Sequence, residues 1–112
     1  MPSLLCLPGT LCTRATFAHQ EEHLQDVADV RVIPLQQGSS IIASAQWILG
    51  QVHEPVVLVG FSQGAIIALE IMRLAPERVT KLCLMSANPE APTAKQLETW
   101  ATWQQDIREG KF

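Results

Sequence analysis

The longest apolar stretches of this chain, such as Val56 to Val59 and Ala65 to Leu69, fall far short of the roughly 20 residues a membrane helix needs. A basic excess is also missing: 8 Lys and Arg stand against 11 Asp and Glu, a formal net charge of −3. Such a balance offers nothing to a polyanion and argues against nucleic acid as a partner. The start, Met1-Pro2-Ser3-Leu4-Leu5-Cys6-Leu7-Pro8-Gly9, has no basic segment ahead of its short apolar run. It does not read as a secretory signal, and a cytoplasmic location is the expectation. Cysteine is sparse. Cys6, Cys12 and Cys83 have neither CxxC spacing nor an even count, which speaks against a disulfide framework or a zinc site. They read as small apolar residues, with Cys12, in a loop, the one candidate for a reactive thiol. The three histidines, His19, His23 and His53, lack metal-ligand spacing, so no metal is expected. Neither G-x-G-x-x-G nor G-x-x-x-x-G-K-[ST] occurs, which leaves a nucleotide- or flavin-binding reading without its motif, and no cofactor is expected.

What is present is the composition of a globular protein: 47% hydrophobic and 17% charged over 112 residues, enough for one domain with a shallow core. Leu4 to Leu7 is a short apolar run ended by Pro8-Gly9, a buried strand entering a tight loop. A weakly patterned helix is expected from about Arg14 to Gln25, carrying Phe17 and Leu24. Val30 to Ile33 is mostly β-branched and stops at Pro34, a second strand. Gly38-Ser39-Ser40 supplies a turn and a helix N-cap, after which Ile41, Ala45, Ile48, Leu49 and Val52 recur at helical spacing. Val56-Val57-Leu58-Val59 is apolar on both faces, as a central parallel strand is. From Ala65 to Leu74 the chain is apolar nearly all round, which suits a helix against the middle of a sheet. Pro76 stops it, and Val79 to Met85 is a fourth strand. Asn88-Pro89 and Ala91-Pro92 break the chain, and Thr93 with Gln96 forms a capping box for a last helix to about Arg108, ended by Gly110. Strand and helix alternate four times, the pattern of an α/β fold with a doubly wound, mainly parallel sheet of about four strands and flanking helices.

One motif carries chemistry. Gly60-Phe61-Ser62-Gln63-Gly64 follows a strand directly and precedes a helix directly, the context a nucleophile elbow requires. A serine hydroxyl raised above a sheet on a strained turn leaves no room for side chains two residues to either side, and glycine at 60 and 64 removes the collision. The following helix aims its N-terminus at the serine, favouring negative charge on an oxyanion. Ser62 is therefore the candidate nucleophile, and the competing reading is a plain Gly-Ser turn between a strand and a helix.

On these residues the sequence resembles the α/β-hydrolase family, in particular small bacterial hydrolases with a Leu-Pro-Gly loop in place of the commoner His-Gly, and the resemblance spans nearly the whole chain. Leu4 to Cys12 is similar to the family's third strand and oxyanion loop, Val56 to Ala65 to its fifth strand and elbow, and Val79 to Pro89 to its sixth strand and exit. The resemblance implies an oxyanion hole built from the backbone N–H of Gln63 and one from the loop after the first strand, with Thr10 the choice and Leu11 the alternative. It also implies that the first and third strands are neighbours. The loop at Pro8-Gly9-Thr10 and the turn at Ser62 would then flank the crevice where the winding reverses.

The family supplies an acid and then a histidine after the serine, yet no histidine follows His53, and neither partner is evident. His53, beside Glu54 ahead of the third strand, belongs at the opposite end of the sheet from Ser62. His19 and His23 lie on or after the first helix, without evident reach. Glu90 stands where some relatives carry the acid, though a solvated loop carboxylate is the simpler reading. The last helix carries Leu97, Trp100, Ala101 and Ile107 on an apolar face, with Trp103 nearby. The expectation is a partial chain: residues 1–89 the N-terminal part of a hydrolase core, residues 90–112 the start of a cap. The intact protein is expected to be a serine hydrolase acting on a carboxylic ester or related acyl substrate through an acyl-serine intermediate. The competing reading is a non-catalytic fragment that binds a partner through Trp100 and Trp103. Self-association through an open sheet edge at the fourth strand is expected as well.

Overall fold

A computed structural model describes residues 1–34 and 40–111. Its centre is one sheet of four parallel strands, β1 (Ser3–Leu7), β2 (Asp29–Val32), β3 (Val56–Phe61) and β4 (Val79–Met85), in the order β2-β1-β3-β4. Four α-helices accompany them: α1 (Ala18–His23), α2 (Ile41–Gln51), α3 (Gln63–Leu74) and α4 (Ala94–Arg108). The chain winds outward from β1 to β2, returns to pair β3 on the other side of β1, and continues to β4. The winding therefore reverses between β1 and β3, as the resemblance implied. Leu5 pairs with Leu58, and Leu7 with Gly60, which brings the carboxyl ends of the two strands level.

Alternation along the strands decides what is buried. Leu5, Leu7, Val56 and Leu58 face Ala45, Ile48 and Val52 of the α2 region and Ile67, Ala68 and Ile71 of α3, forming the core. On the opposite face Cys6 is buried, as is Phe17, but Val57 and Val59 are only half-buried. β3 is thus apolar on both faces in sequence, while helices α2 and α3 cover one of them. In a parallel sheet both faces are ordinarily covered.

The boundaries differ from expectation, most notably in three places. The first helix is shorter than Arg14 to Gln25: a 3-10 turn at Arg14–Phe17, capped by Thr13, leads into the six residues of α1. Phe17 is the one buried residue of that stretch, and a single apolar anchor cannot hold three turns of helix to a sheet. β2 begins one residue earlier than Val30, with Asp29 paired to Ser3, while the Ile33 N–H still donates to the Cys6 carbonyl at 3.0 Å. α3 starts at Gln63 instead of Ala65, because the elbow delivers the backbone straight into helical geometry before its apolar run begins. Elsewhere the capping residues do what their spacing promised. Ser40 accepts from the Ala43 N–H at 3.1 Å at the head of α2, whereas Gly38 and Ser39 lie outside the described residues. Thr93 and Gln96 form the reciprocal capping box of α4. Gly110, at φ 72°, follows that helix.

The cysteines divide. Cys6 and its neighbours on β1 are core, but Cys83, read from the sequence as a small apolar residue, is exposed. It sits on the strand at the sheet edge, where no further strand among the described residues lies over it.

Candidate active site

β3 ends at Phe61 and α3 begins at Gln63, leaving Ser62 alone at the junction with φ 56° and ψ −117°. A non-glycine residue at positive φ carries steric strain between Cβ and its own backbone, so the surroundings must hold it there. They do so from three sides. The Ser62 N–H donates to the Met85 carbonyl at the end of β4 at 2.9 Å, and the Ser62 carbonyl accepts from Ala65 N–H at 2.9 Å as the helix begins. On the third side Gly9 packs so closely that a Cβ there would stand 3.0 Å from the Ser62 Cβ and 3.2 Å from Phe61 Cδ1.

The two elbow glycines are required for different reasons. A Cβ on Gly60 would lie 2.6 Å from both the Ala65 Cα and the Gly64 carbonyl oxygen, so position 60 is filled by the start of α3. A Cβ on Gly64 would lie 2.0 Å from the Leu7 carbonyl oxygen and 2.7 Å from that of Pro8. Position 64 is thus filled by the end of β1, not by the strand-to-helix turn itself. The helix crosses the adjacent strand without a side chain between them.

The loop after β1 closes the other side of the crevice. Its turn runs from Gly9 to Cys12, with the Cys12 N–H donating to the Gly9 carbonyl at 3.1 Å. Leu11, its third residue, has φ 59° and is 79% exposed. The Thr10 hydroxyl reaches across to the loop's opposite wall and donates to Gln63 Oε1 at 3.0 Å. The sequence-predicted residues Thr10, Ser62, Gln63, Gly60 and Gly64 therefore gather where β1 and β3 end. Gln63 opens α3; the Ala65 N–H is taken by the Ser62 carbonyl, whereas the N–H groups that precede it in a first helical turn have no intrahelical acceptor and stand at the positive end of the helix dipole, which favours an anion. The arrangement places the half-buried Ser62 at the N-terminus of α3, where the helix dipole favours negative charge on a nearby oxygen.

The other candidates fall elsewhere. His53 precedes β3 while Ser62 follows it, so the length of the strand separates them. His19 and His23 stack on one another with ring centroids 4.0 Å apart, and His23 Nδ1 lies 2.9 Å from the His19 carbonyl. Glu90 is exposed in the loop after β4, where its N–H donates to Asn88 Oδ1 at 3.1 Å. Among the described residues no histidine or carboxylate is hydrogen-bonded to the Ser62 hydroxyl, and no group of three or more His, Cys, Asp or Glu could hold a metal ion. No helix among them is long and apolar enough to cross a membrane. A concavity of about 370 Å³ lined by Met1, Arg14, Glu21, Gln25 and Asp29 opens beside the amino ends of β1 and β2, at the far end of the sheet from Ser62.

Met85 contributes to the site without having been singled out for it in the sequence, while Gly9 and Leu11, named there as a loop residue and the alternative oxyanion donor, take roles that the sequence did not show. Gly9 was legible as a turn residue but not as a spacer under Ser62. A leucine at positive φ and a carbonyl acceptor at the end of a strand leave no mark in composition or spacing.

No curated protein matches the chain. Among solved structures, N-formylmaleamic acid deformylase from Pseudomonas putida S16 matches with a TM-score of 0.66 and 23% identity, over 97% of this chain and 49% of that one. The chain thus spans about half the length of that protein, and a likeness at this identity concerns the fold. A sequence profile described as alpha/beta hydrolase fold matches residues 48–111, more than half of the chain, from the end of α2 through β3, α3, β4 and α4. With the parallel sheet reversing between β1 and β3 and Ser62 on the turn after β3, the chain belongs to the α/β-hydrolase fold family.

Proposed function

We propose that this protein is a serine hydrolase that acts on a carboxylic ester or related acyl substrate through an acyl-Ser62 intermediate. The observation that carries the reading is Ser62 held at φ 56° between two glycines whose Cβ positions are occupied by backbone. A strained serine at a helix N-terminus and a topological switch point has little purpose as a connector. In the first step Ser62 Oγ bonds to the acyl carbon, the hydroxyl proton leaves to a base, and the carbonyl oxygen becomes an oxyanion facing the backbone N–H groups of Gln63 and Thr10. Collapse of that adduct expels the alcohol or equivalent leaving group and leaves the acyl enzyme. Water then repeats the sequence and frees the acid. Residues 90–112 are read as the start of a cap over this crevice, the position that would select among acyl substrates.

No base among the described residues is hydrogen-bonded to Ser62, so acylation by this chain is expected to be slow. Loss of a triad base typically costs several orders of magnitude in turnover. The same observation favours a second reading, a non-catalytic hydrolase-fold protein that binds a partner through the exposed Trp100 and Trp103. Incubation with a fluorophosphonate probe separates the two. Mass-spectrometric adduct formation at Ser62, absent from Ser62→Ala, is the expected result. A probe that never modifies Ser62, in a sample whose unfolding is cooperative, rejects the enzyme reading.

A further inference from the structure

We propose that Thr10 is a positioning residue: its hydroxyl, bonded to the Gln63 side chain, clamps the strained turn after β1 onto the elbow and so fixes the mutual position of the backbone N–H groups on the two walls of the crevice. The inference deepens the proposed function and rests on it.

The turn from Gly9 to Cys12 has one left-handed residue, Leu11 at φ 59°, while Thr10 is not at positive φ. A positive φ confined to the third position is the type II pattern, which glycine ordinarily occupies. Leucine there is strained, and its side chain, 79% exposed, gains little by burial that would offset the strain. The relaxed alternative is an open turn, with Leu11 at negative φ and the Gly9–Cys12 bond lost, which also redirects the Leu11 N–H, the alternative oxyanion donor on that wall. Something other than Leu11 must therefore hold the turn. Two contacts reach it from the elbow: Gly9 seated against Ser62 and Phe61, and the Thr10 hydroxyl donating to Gln63 Oε1 at 3.0 Å. The first restrains the turn's entry, whereas the second acts on the residue next to the strained one. It joins positions 53 residues apart in sequence and ties together the two residues whose backbone N–H groups are assigned to the oxyanion. Because Thr10 acts through its side chain while the donor is its backbone, the two roles can be separated by substitution.

Thr10→Val keeps shape and backbone N–H but removes the hydroxyl. Gln63→Met keeps length and backbone N–H but removes the acceptor. Two quantities are read in the parent, in each variant, in the double variant and in Thr10→Ser: hydrogen exchange of the Cys12 amide, which closes the turn, and the rate of fluorophosphonate labelling at Ser62. Either single substitution is expected to accelerate Cys12 exchange about five-fold, the scale of one net hydrogen bond, and to slow labelling by a similar factor. The double variant should match the singles, as for two halves of one interaction, and Thr10→Ser should restore both readouts. Exchange unchanged in Thr10→Val overturns the clamp. Faster exchange with labelling at the parental rate overturns the positioning role, as do single effects that add in the double variant. A parent that is never labelled at Ser62 removes the functional reading itself and the positioning role with it, an outcome distinct from a labelled parent whose variants label equally fast.

Discussion

Ser62 occupies a backbone region that costs on the order of 1–3 kcal/mol for a residue with a Cβ, and the residues around it are shaped to impose that conformation. Gly64 is the sharpest case, because the space a side chain would need is taken by the carbonyls of Leu7 and Pro8. Gly64→Ala is therefore expected to push α3 away from β1 and lower stability by about 3 kcal/mol, toward the upper end for overpacked sites. Gly50, where an added Cβ would meet no packed neighbour within 4 Å, is the control, since Gly50→Ala should cost nothing and gain helix propensity. Urea unfolding of the two variants checks this, and equal midpoints would undo the account of the elbow. A second residue-scale prediction concerns Cys6, whose burial on β1, aided by the charges of Glu21 and Cys83, pushes its thiol from 9.0 up to about 11. The folded state holds that proton more tightly than the unfolded chain does. The stabilisation is complete below pH 9 and is lost as the pH rises toward 11, a slope of up to about 1.4 kcal/mol per pH unit. With no tyrosine in the chain, no phenol titrates in the same window. Stability at pH 10.5 should fall relative to pH 8 more steeply in the parent than in Cys6→Ala. Identical slopes in the two would mean that the thiol ionises alike in both states.

At the scale of elements, α3 and α4 show how differently two helices can be supported. α3 buries Gly64, Ala65, Ile67, Ala68 and Ile71 against the sheet, so packing holds it. α4 buries no residue, and Leu97, Trp100, Trp103 and Ile107 are all more than 40% exposed. Its 15 residues rest on local terms: the Thr93 hydroxyl accepts from Gln96 N–H at 3.1 Å, and Gln96 Oε1 accepts from Thr93 N–H at 2.9 Å. Helices of this length are marginal in water without packing. Thr93→Ala should cost about 1 kcal/mol, felt locally, so that amides of α4 exchange roughly five-fold faster while those of α3 keep their rates. Acceleration in both helices alike would show that α4 is part of the cooperative unit after all. The capping box and the apolar stripe were both visible in the sequence. That the stripe faces solvent was not, because periodicity reports which face is apolar and says nothing of what lies opposite.

Across the whole molecule, the sheet has one well-covered face and two edges. β4 stands at one edge, with Leu82 and Met85 more than a third exposed and Cys83 exposed beside them. Lys81 is the one charged residue on the strand. An edge of unpaired N–H and C=O groups flanked by apolar side chains invites another strand, and concentration-dependent self-association is the expected behaviour. A charge is best introduced at Cys83, which is already exposed, since Leu84 packs against the core. Sedimentation velocity over a range of concentrations should show association in the parent and less in Cys83→Lys. A monomer at every concentration, indifferent to that substitution, would mean the edge is inert.

The order of strands and helices, the caps at Ser40 and Thr93 and the elbow at 60–64 were all determined by the sequence itself, because each rests on chemistry within a few residues: alternation, side-chain caps, the need for glycine beside a strained serine. The pairing of β1 with β3 was implied by resemblance and not by spacing, since contacts between residues 53 positions apart leave no local trace. Tertiary structure alone decided that Gly64 is small on account of β1, that Leu11 is strained, and that the Thr10 hydroxyl meets Gln63. It also decided that Val57, Val59 and Cys83, apolar in sequence, are left half-covered or bare. Burial is a relation between elements brought together by the fold, and an apolar residue in a sequence states only a preference for it.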